Sequence, residues 1–219
     1  MFIIILLFHL YMKKVLLLGF GPFSKFVENP SQIIVERLKD KKIDDLQIFG
    51  KILPVTYSEV EKIIRDEIKN IRPQLVLGIG LAAGRNKITL EKIAINYKFS
   101  STPDNTGKIE KGRKINAKGP DGIFTNLNVE KIVEILNREN IPADISLTAG
   151  GYICNLTMYN IMENAKIFNF KGGFVHLPCH RELVSKNREL NYPYMELEIM
   201  EKAIIEIIKF SLNKKIKSK

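Results

Sequence analysis

In SLTAGGYICNLTMYNIM, residues 146–162, a stretch of strand character breaks at Gly150 and Gly151 and delivers Cys154 where helical spacing begins. Paired glycines permit a tight or left-handed turn. A cysteine at the start of a helix meets unpaired backbone N–H groups and the positive end of the helix dipole. Both favour a thiolate, and the same N–H groups suit the oxyanion of an acyl-transfer intermediate. The chemistry this context serves is nucleophilic attack on a carbonyl. Its competitor is the usual fate of a free cysteine, a small apolar side chain in the core.

A thiol nucleophile needs a base, and the histidines are His9, His176 and His180. His176 closes the apolar run GGFVHLP, residues 172–178, and the carboxyl ends of strands are where sites assemble in open α/β sheets. His180 comes next in a stretch that reads as a loop, where a solvated surface histidine is the default. Glu91 is the candidate to orient the imidazole, because ITLEKIAIN sets one acid in an otherwise apolar, half-buried stretch. Against that stands a surface acid facing Lys92 or solvent. GIGLAA, residues 78–83, formally fits the dinucleotide fingerprint. The residues after it read as loop and strand, and a Lys-Phe-Ser-Ser run occupies the place of the ribose-binding acid, so that reading is set aside.

These residues need a scaffold. KVLLLGF (14–20) is an almost unbroken apolar run, as expected of a strand covered on both faces. Asn29 and Pro30 read as N-cap and first helical position before SQIIVERLKD. Residues 46–53 read as a strand, and Thr56 with Glu59 as a capping box ahead of VEKIIRDEIKN. Pro73 stops that helix, and QLVLGIG is another buried strand. Further on, the spacing predicts extended chain over 92–97, a long polar functional loop over 100–122 and a helix over 129–140. A strand over 144–147, a helix over 155–165, the strand in GGFVHLP and a helix over 195–210 complete the pattern. Strands alternate with helices throughout. That predicts an α/β protein, a single-domain three-layer α/β/α sandwich around a largely parallel, mixed and twisted sheet.

With 219 residues, 45% hydrophobic and 26% charged, the chain suits one buried core. Its net charge of +10 invites a nucleic-acid reading, but apart from a KKIKSK tail the lysines are mixed with acids, and no nucleic-acid motif accompanies them. No nucleic-acid partner is expected. Cys154 and Cys179 are the only cysteines, too few for a disulfide framework, which points to a reducing, cytoplasmic compartment. The apolar MFIIILLFHLY is too short to span a bilayer and its lysines come after it, unlike those of a signal peptide, so no membrane partner is expected. Residues 1–12 are read as an N-terminal extension, with Met12 as the expected native start, ahead of one catalytic domain over 13–219.

Four segments read together resemble the pyroglutamyl peptidase I family, the pyrrolidone-carboxylate peptidases, which are cysteine peptidases. AGGYICN (149–155) is similar to the family's cysteine signature, and GLAAGRNKITLEKIAIN (80–96) to its glutamate signature. GFGPF (19–23) with Asn29-Pro30 resembles its N-terminal loop, and GGFVHLP its histidine segment. The resemblance implies Cys154 as nucleophile, His176 as base and Glu91 as orienting carboxylate, with no metal or cofactor. It implies release of an N-terminal pyroglutamyl residue from a peptide through an acyl-enzyme, and self-association into a dimer or tetramer. The lactam carries no free amine, so flat apolar walls and amide hydrogen bonds suffice to hold it. The positions matching the family's aromatic pocket are Phe20 and Phe23, with Tyr152 and Ile153 beside the nucleophile; for both Phe residues the competing role is core packing. Cys179 matches no family motif and reads as an inert thiol.

Two positions depart from the family pattern. Leu81 stands where many members carry glutamine near the pocket, and Ser101 where an arginine helps hold the oxyanion before the Pro103-Asp104-Asn105 segment. Losing one oxyanion donor typically costs ~10²–10³ in rate. Lys98 is a candidate to compensate, and Asp104 either shapes the site or competes with Glu91 for the histidine. These departures keep open a second reading, the same fold with weak or altered activity on another small cyclic amide or on blocked peptides.

Overall fold

The computed structural model describes residues 12–186 and 191–212. Residues 1–11 with His9, and the basic C-terminal tail, lie outside the described residues. The first strand, β1 (Lys13–Phe20), shows why its sequence is apolar at nearly every position. Val15 and Leu17 enter one core, while Leu16, Leu18 and Phe20 enter a second core on the opposite face of the sheet. α1 (Pro30–Leu38) comes next, with Asn29 as N-cap accepting from the Ser31 amide and Pro30 at its first turn, as expected. After it the chain forms β2 (Lys42–Ile43) and β3 (Leu46–Leu53).

α2 (Val60–Ile71) buries Val60, Ile64 and Ile68, spaced four apart on one face. Burying three such side chains is worth roughly 5–8 kcal/mol before the entropy of ordering them. Its start differs from the expected capping box. Thr56 meets Glu59 side chain to side chain at 2.9 Å, and no side chain caps the helix. The Tyr57 amide is already committed to the Asp104 carboxylate at 2.9 Å, so residues 57–59 form a turn and the helix begins at Val60.

The chain continues through β4 (Leu75–Leu81), β5 (Ile88–Glu91), β6 (Ile93–Ile95), β7 (Lys98–Phe99), β8 (Lys111–Arg113) and β9 (Gly122–Phe124). Extended structure thus starts at Ile88, earlier than expected, and the long polar loop contains a short strand that pairs β8 with β7. After α3 (Val129–Arg138), β10 (Ala143–Ser146) and α4 (Ile153–Phe168) comes β11 (Lys171–Leu177). A second small ladder pairs β12 (Cys179–His180) with β13 (Tyr194–Met195), on either side of α5 (Arg181–Lys186), and α6 (Leu197–Leu212) is the last described element.

Seven strands form the main sheet in the order β10-β5-β11-β4-β1-β3-β2. It is largely parallel, with antiparallel pairs only at β2–β3 and β5–β11. α1, α3 and α6 cover one face and α2 and α4 the other, which is the three-layer α/β sandwich expected. On the α4 side the central strand β4 presents Val76, Gly78 and Gly80. A Cβ at Gly78 would lie 2.4 Å from the Phe174 ring, and one at Gly80 would lie 3.0 Å from Cys154 Sγ. Two glycines therefore open the slot that Phe174 and the cysteine occupy.

Candidate active site

Cys154 sits in the first turn of α4, directly after Tyr152, the N-cap residue, and Ile153. Gly150, at φ +81°, supplies the left-handed turn that brings the chain off β10. Gly151 is pressed against β7, where an added Cβ would meet the Phe99 carbonyl at 2.6 Å. No side chain caps α4, so the amides of its first turn, beside Cys154, have no capping side chain as partner. The environment of the thiol differs from expectation in one respect. Its pKa is pushed up to about 12, first by burial and then by the charge of Glu91, while Arg85 and the backbone pull it down. Desolvation outweighs the helix terminus, so the resting group is a thiol.

His176 lies directly across the β4–β11 ladder from Gly80, the residue whose missing side chain makes room for Cys154 Sγ. It is two residues past Phe174 on the same strand, with ring centroids 5.0 Å apart, so both rings point to the α4 face. Its Nδ1 is 2.7 Å from Glu91 Oε1. Glu91 ends β5 and is wholly buried. Burial raises its carboxyl pKa, but His176, Ser146 and Arg85 together hold it below the ordinary range. An ionised carboxylate only accepts, so Nδ1 carries the proton and the other ring nitrogen, Nε2, is left as a base.

Phe20, Phe23, Val55, Leu81, Tyr152 and Ile153 form the walls of a narrow pocket that ends at Cys154, with Asn29 at its edge. Asn29 has its polar atoms engaged, donating to Gly21 O and accepting from Ser31. The pocket is apolar in every free side chain. Among the described residues, no group of three or more His, Cys, Asp or Glu side chains is placed to hold a metal ion, and no helix is long and apolar enough to cross a membrane.

A family model described as pyroglutamyl peptidase matches residues 13–214. The chain belongs to the pyroglutamyl peptidase family. It is 48% identical over 203 residues to pyrrolidone-carboxylate peptidase 1 of Saccharolobus solfataricus, covering 93% of this chain and 96% of that one. The relative from Lactobacillus acidophilus, also a pyrrolidone-carboxylate peptidase, is 37% identical, with 91% and 99% covered. Crystal structures of pyrrolidone carboxyl peptidase from Pyrococcus furiosus superpose with a TM-score of 0.88 at 32% identity, over 91% of this chain and 98% of theirs. The protein is thus a cysteine-type hydrolase.

The remaining candidates are held away from the cluster of Cys154, His176 and Glu91. His180 is not a surface histidine: it is buried in β12 and its Nε2 lies 3.0 Å from Glu28 Oε2, while Lys186 binds the same carboxylate at 2.6 Å. The loop expected there is held down by the β12–β13 ladder. Cys179 is fully buried and burial raises its thiol pKa. Asp104 does not reach the histidine. It accepts from the amides of Tyr57, Thr106 and Lys108, each at 2.9 Å, and from the Thr106 hydroxyl at 2.6 Å. Its neighbours extend the tie: the Asn105 amide bonds Val55 O, Asn105 Nδ2 bonds Pro22 O, and Tyr152 Oη donates to Pro103 O. Two walls of the pocket, Val55 and Tyr152, are stitched through this one segment. Ser101 is exposed, and Lys98 faces Arg113, Glu110 and Lys108, so the cation whose charge reaches Cys154 is Arg85.

Proposed function

We propose that this enzyme hydrolyses N-terminal pyroglutamyl residues from peptides with Cys154 as nucleophile, His176 as base and Glu91 as the carboxylate that orients it. The observation that carries the reading is the apolar pocket ending at Cys154, with the 2.7 Å His176–Glu91 pair beside it across Gly80. His176 Nε2 takes the thiol proton as Sγ bonds to the pyroglutamyl carbonyl carbon. The uncapped amides of α4 then hold the oxyanion, a role that Ser101 leaves to the backbone. The imidazolium returns its proton to the departing amine, the peptide leaves with a free N-terminus, and a water deprotonated by His176 cleaves the thioester.

A thiol with a raised pKa fits this order of events, because proton transfer accompanies attack. The lactam ring would lie between Phe20, Phe23 and Tyr152. With Leu81 in place of glutamine and Asn29 already bonded, its N–H and C=O are read by backbone groups. We extend the reading to a reducing, cytoplasmic setting, since oxidation silences a thiol nucleophile, and to self-association as a dimer or tetramer.

Hydrolysis of a fluorogenic pyroglutamyl amide, with the corresponding proline amide as control, tests the reading. Proline lacks the lactam carbonyl and bears a cationic amine that an apolar pocket rejects. Cleavage of the first alone is expected. Preference for another cyclic amide would shift the specificity to Leu81, and no cleavage of any would sink the assignment.

Asp104→Ala provides a test of how the pocket is held. It strands amides from two loops, at a cost on the order of 1–3 kcal/mol. Because the segment touches the ring walls and not His176, KM is expected to rise about tenfold with kcat nearly kept. Steady-state kinetics on the pyroglutamyl amide decide it; a fall in kcat alone would contradict the role.

A further inference from the structure

We propose that Arg85 is a positioning residue of this reaction: its guanidinium fixes which oxygen of Glu91 faces His176 and offsets the carboxylate's charge at the nucleophile. The inference rests on the proposed triad and deepens it. Arg85 lies on the turn between β4 and β5, its amide bonded to Ala82 O at 3.1 Å. Its Nη1 donates to Glu91 Oε1 at 2.9 Å and also to Thr89 Oγ1. Thr89 and Glu91 are two apart on β5, so they share a face, and Thr89 is the register partner of His176 across the β5–β11 pair. One oxygen, Oε1, thus receives both the imidazole and the guanidinium, while Oε2 is buried with no hydrogen-bond partner among the described residues. Two donors on one oxygen prevent the carboxylate from rotating away from His176.

This is not an ordinary surface pair. Arg85 is 34% exposed, but its partner is 0% exposed, so solvent screens the carboxylate poorly. Glu91 raises the Cys154 pKa and Arg85 opposes it. The titratable and charged groups around the cluster are Glu91 on β5, His176 on β11, Cys154 on α4 and Tyr152 at its cap, Tyr192 against Gly84, and the Lys87–Asp144 pair at the outer ends of β5 and β10. Among these only Arg85 is a cation in contact with the triad.

The test is the pH profile of kcat/KM on the pyroglutamyl amide for wild type, Arg85→Gln and Arg85→Lys, with thermal melts to confirm folding. Removing a cation raises the pKa of whatever titrates beside it. Arg85→Gln is therefore expected to lose about tenfold or more at neutral pH, with both limbs of the profile moved up by about half to one unit. Arg85→Lys should return the limbs to their wild-type positions with only part of the rate. A loss in Arg85→Gln with unmoved limbs would mean a merely structural role and overturn the proposal, as would full activity. Thr89→Val keeps the charge but releases its alignment. It should lower kcat severalfold with limbs and KM unmoved, and full activity there would overturn the positioning role even if Arg85→Gln failed to fold. Alkylation of Cys154 by iodoacetamide, tracked by mass against pH, needs no substrate and should shift upward in Arg85→Gln by the same amount. A shifted alkylation profile in a protein inert to pyroglutamyl amides would retire the substrate and keep Arg85's role. Robust hydrolysis with neither profile shifted would retire Arg85 alone.

Discussion

Cys154→Ser is expected to lower turnover of a pyroglutamyl amide by roughly 10⁵–10⁶-fold, the scale seen when a nucleophile is removed from a triad. Serine nearly matches the volume of cysteine and the sulfur sits in a slot already opened by Gly80, so the fold should not change. A melting temperature within a few degrees of wild type would confirm that the loss is chemical. The state of the thiol gives the prediction a second edge. Burial and Glu91 push its pKa up to about 12, so at neutral pH the resting group is protonated. Iodoacetamide alkylation should accordingly climb with pH through the neutral range, where a preformed thiolate would show a plateau. The adduct should fall on Cys154 alone, because Cys179 is 0% exposed, and should vanish in Cys154→Ser. A plateau from mildly acidic pH upward would mean that the ion pair is preformed and that His176 does not act as base during attack. Retained turnover in the serine variant would remove Cys154 from the mechanism altogether.

The features legible in the sequence were those that depend on local pattern. The unbroken apolar runs of β1 and β4 announce strands buried on two faces, and both alternate between the two cores as such runs must. Asn29-Pro30 marked a helix start because capping is a matter of neighbouring atoms. Glu91 stood out as a single acid in an apolar stretch, and the structure sets it 2.7 Å from His176, 85 residues away. Features that depend on tertiary partners were not legible. His180 reads as a loop residue because nothing nearby in sequence shows that Glu28, 152 positions earlier, will meet it. The raised thiol pKa is not legible because a helix terminus is visible in sequence and desolvation is not. Arg85 reads in the sequence only as part of a turn. Its signal was present, a cation four residues before a threonine and six before a lone acid, but those three converge only once the turn folds back onto β5.

Glu91→Gln is expected to cut kcat by roughly 10²–10⁴-fold, by analogy with an orienting carboxylate replaced by its amide in other triads. Glutamine preserves the shape but not the charge, and its amide end can present a donor to His176 Nδ1, turning the ring tautomer so that no base faces the thiol. KM should change little, because Glu91 is not among the residues that line the pocket. Stability offers an independent reading of the same charge. The carboxylate is wholly buried and tied to Arg85, whose 34% exposure leaves the stranded guanidinium partly solvated, so the variant should lose on the order of 1–3 kcal/mol at neutral pH. The folded pKa of Glu91 lies below its ordinary value. Its contribution is therefore complete above the unfolded carboxyl pKa, about 4.3, and disappears as pH falls through the lower folded value. Denaturant melts of wild type and Glu91→Gln should thus differ at pH 7 and converge in acid. Melts that stay equally far apart throughout the acid range would show that the lost stability comes from packing and not from the charge, and a variant with full kcat would remove Glu91 from the triad.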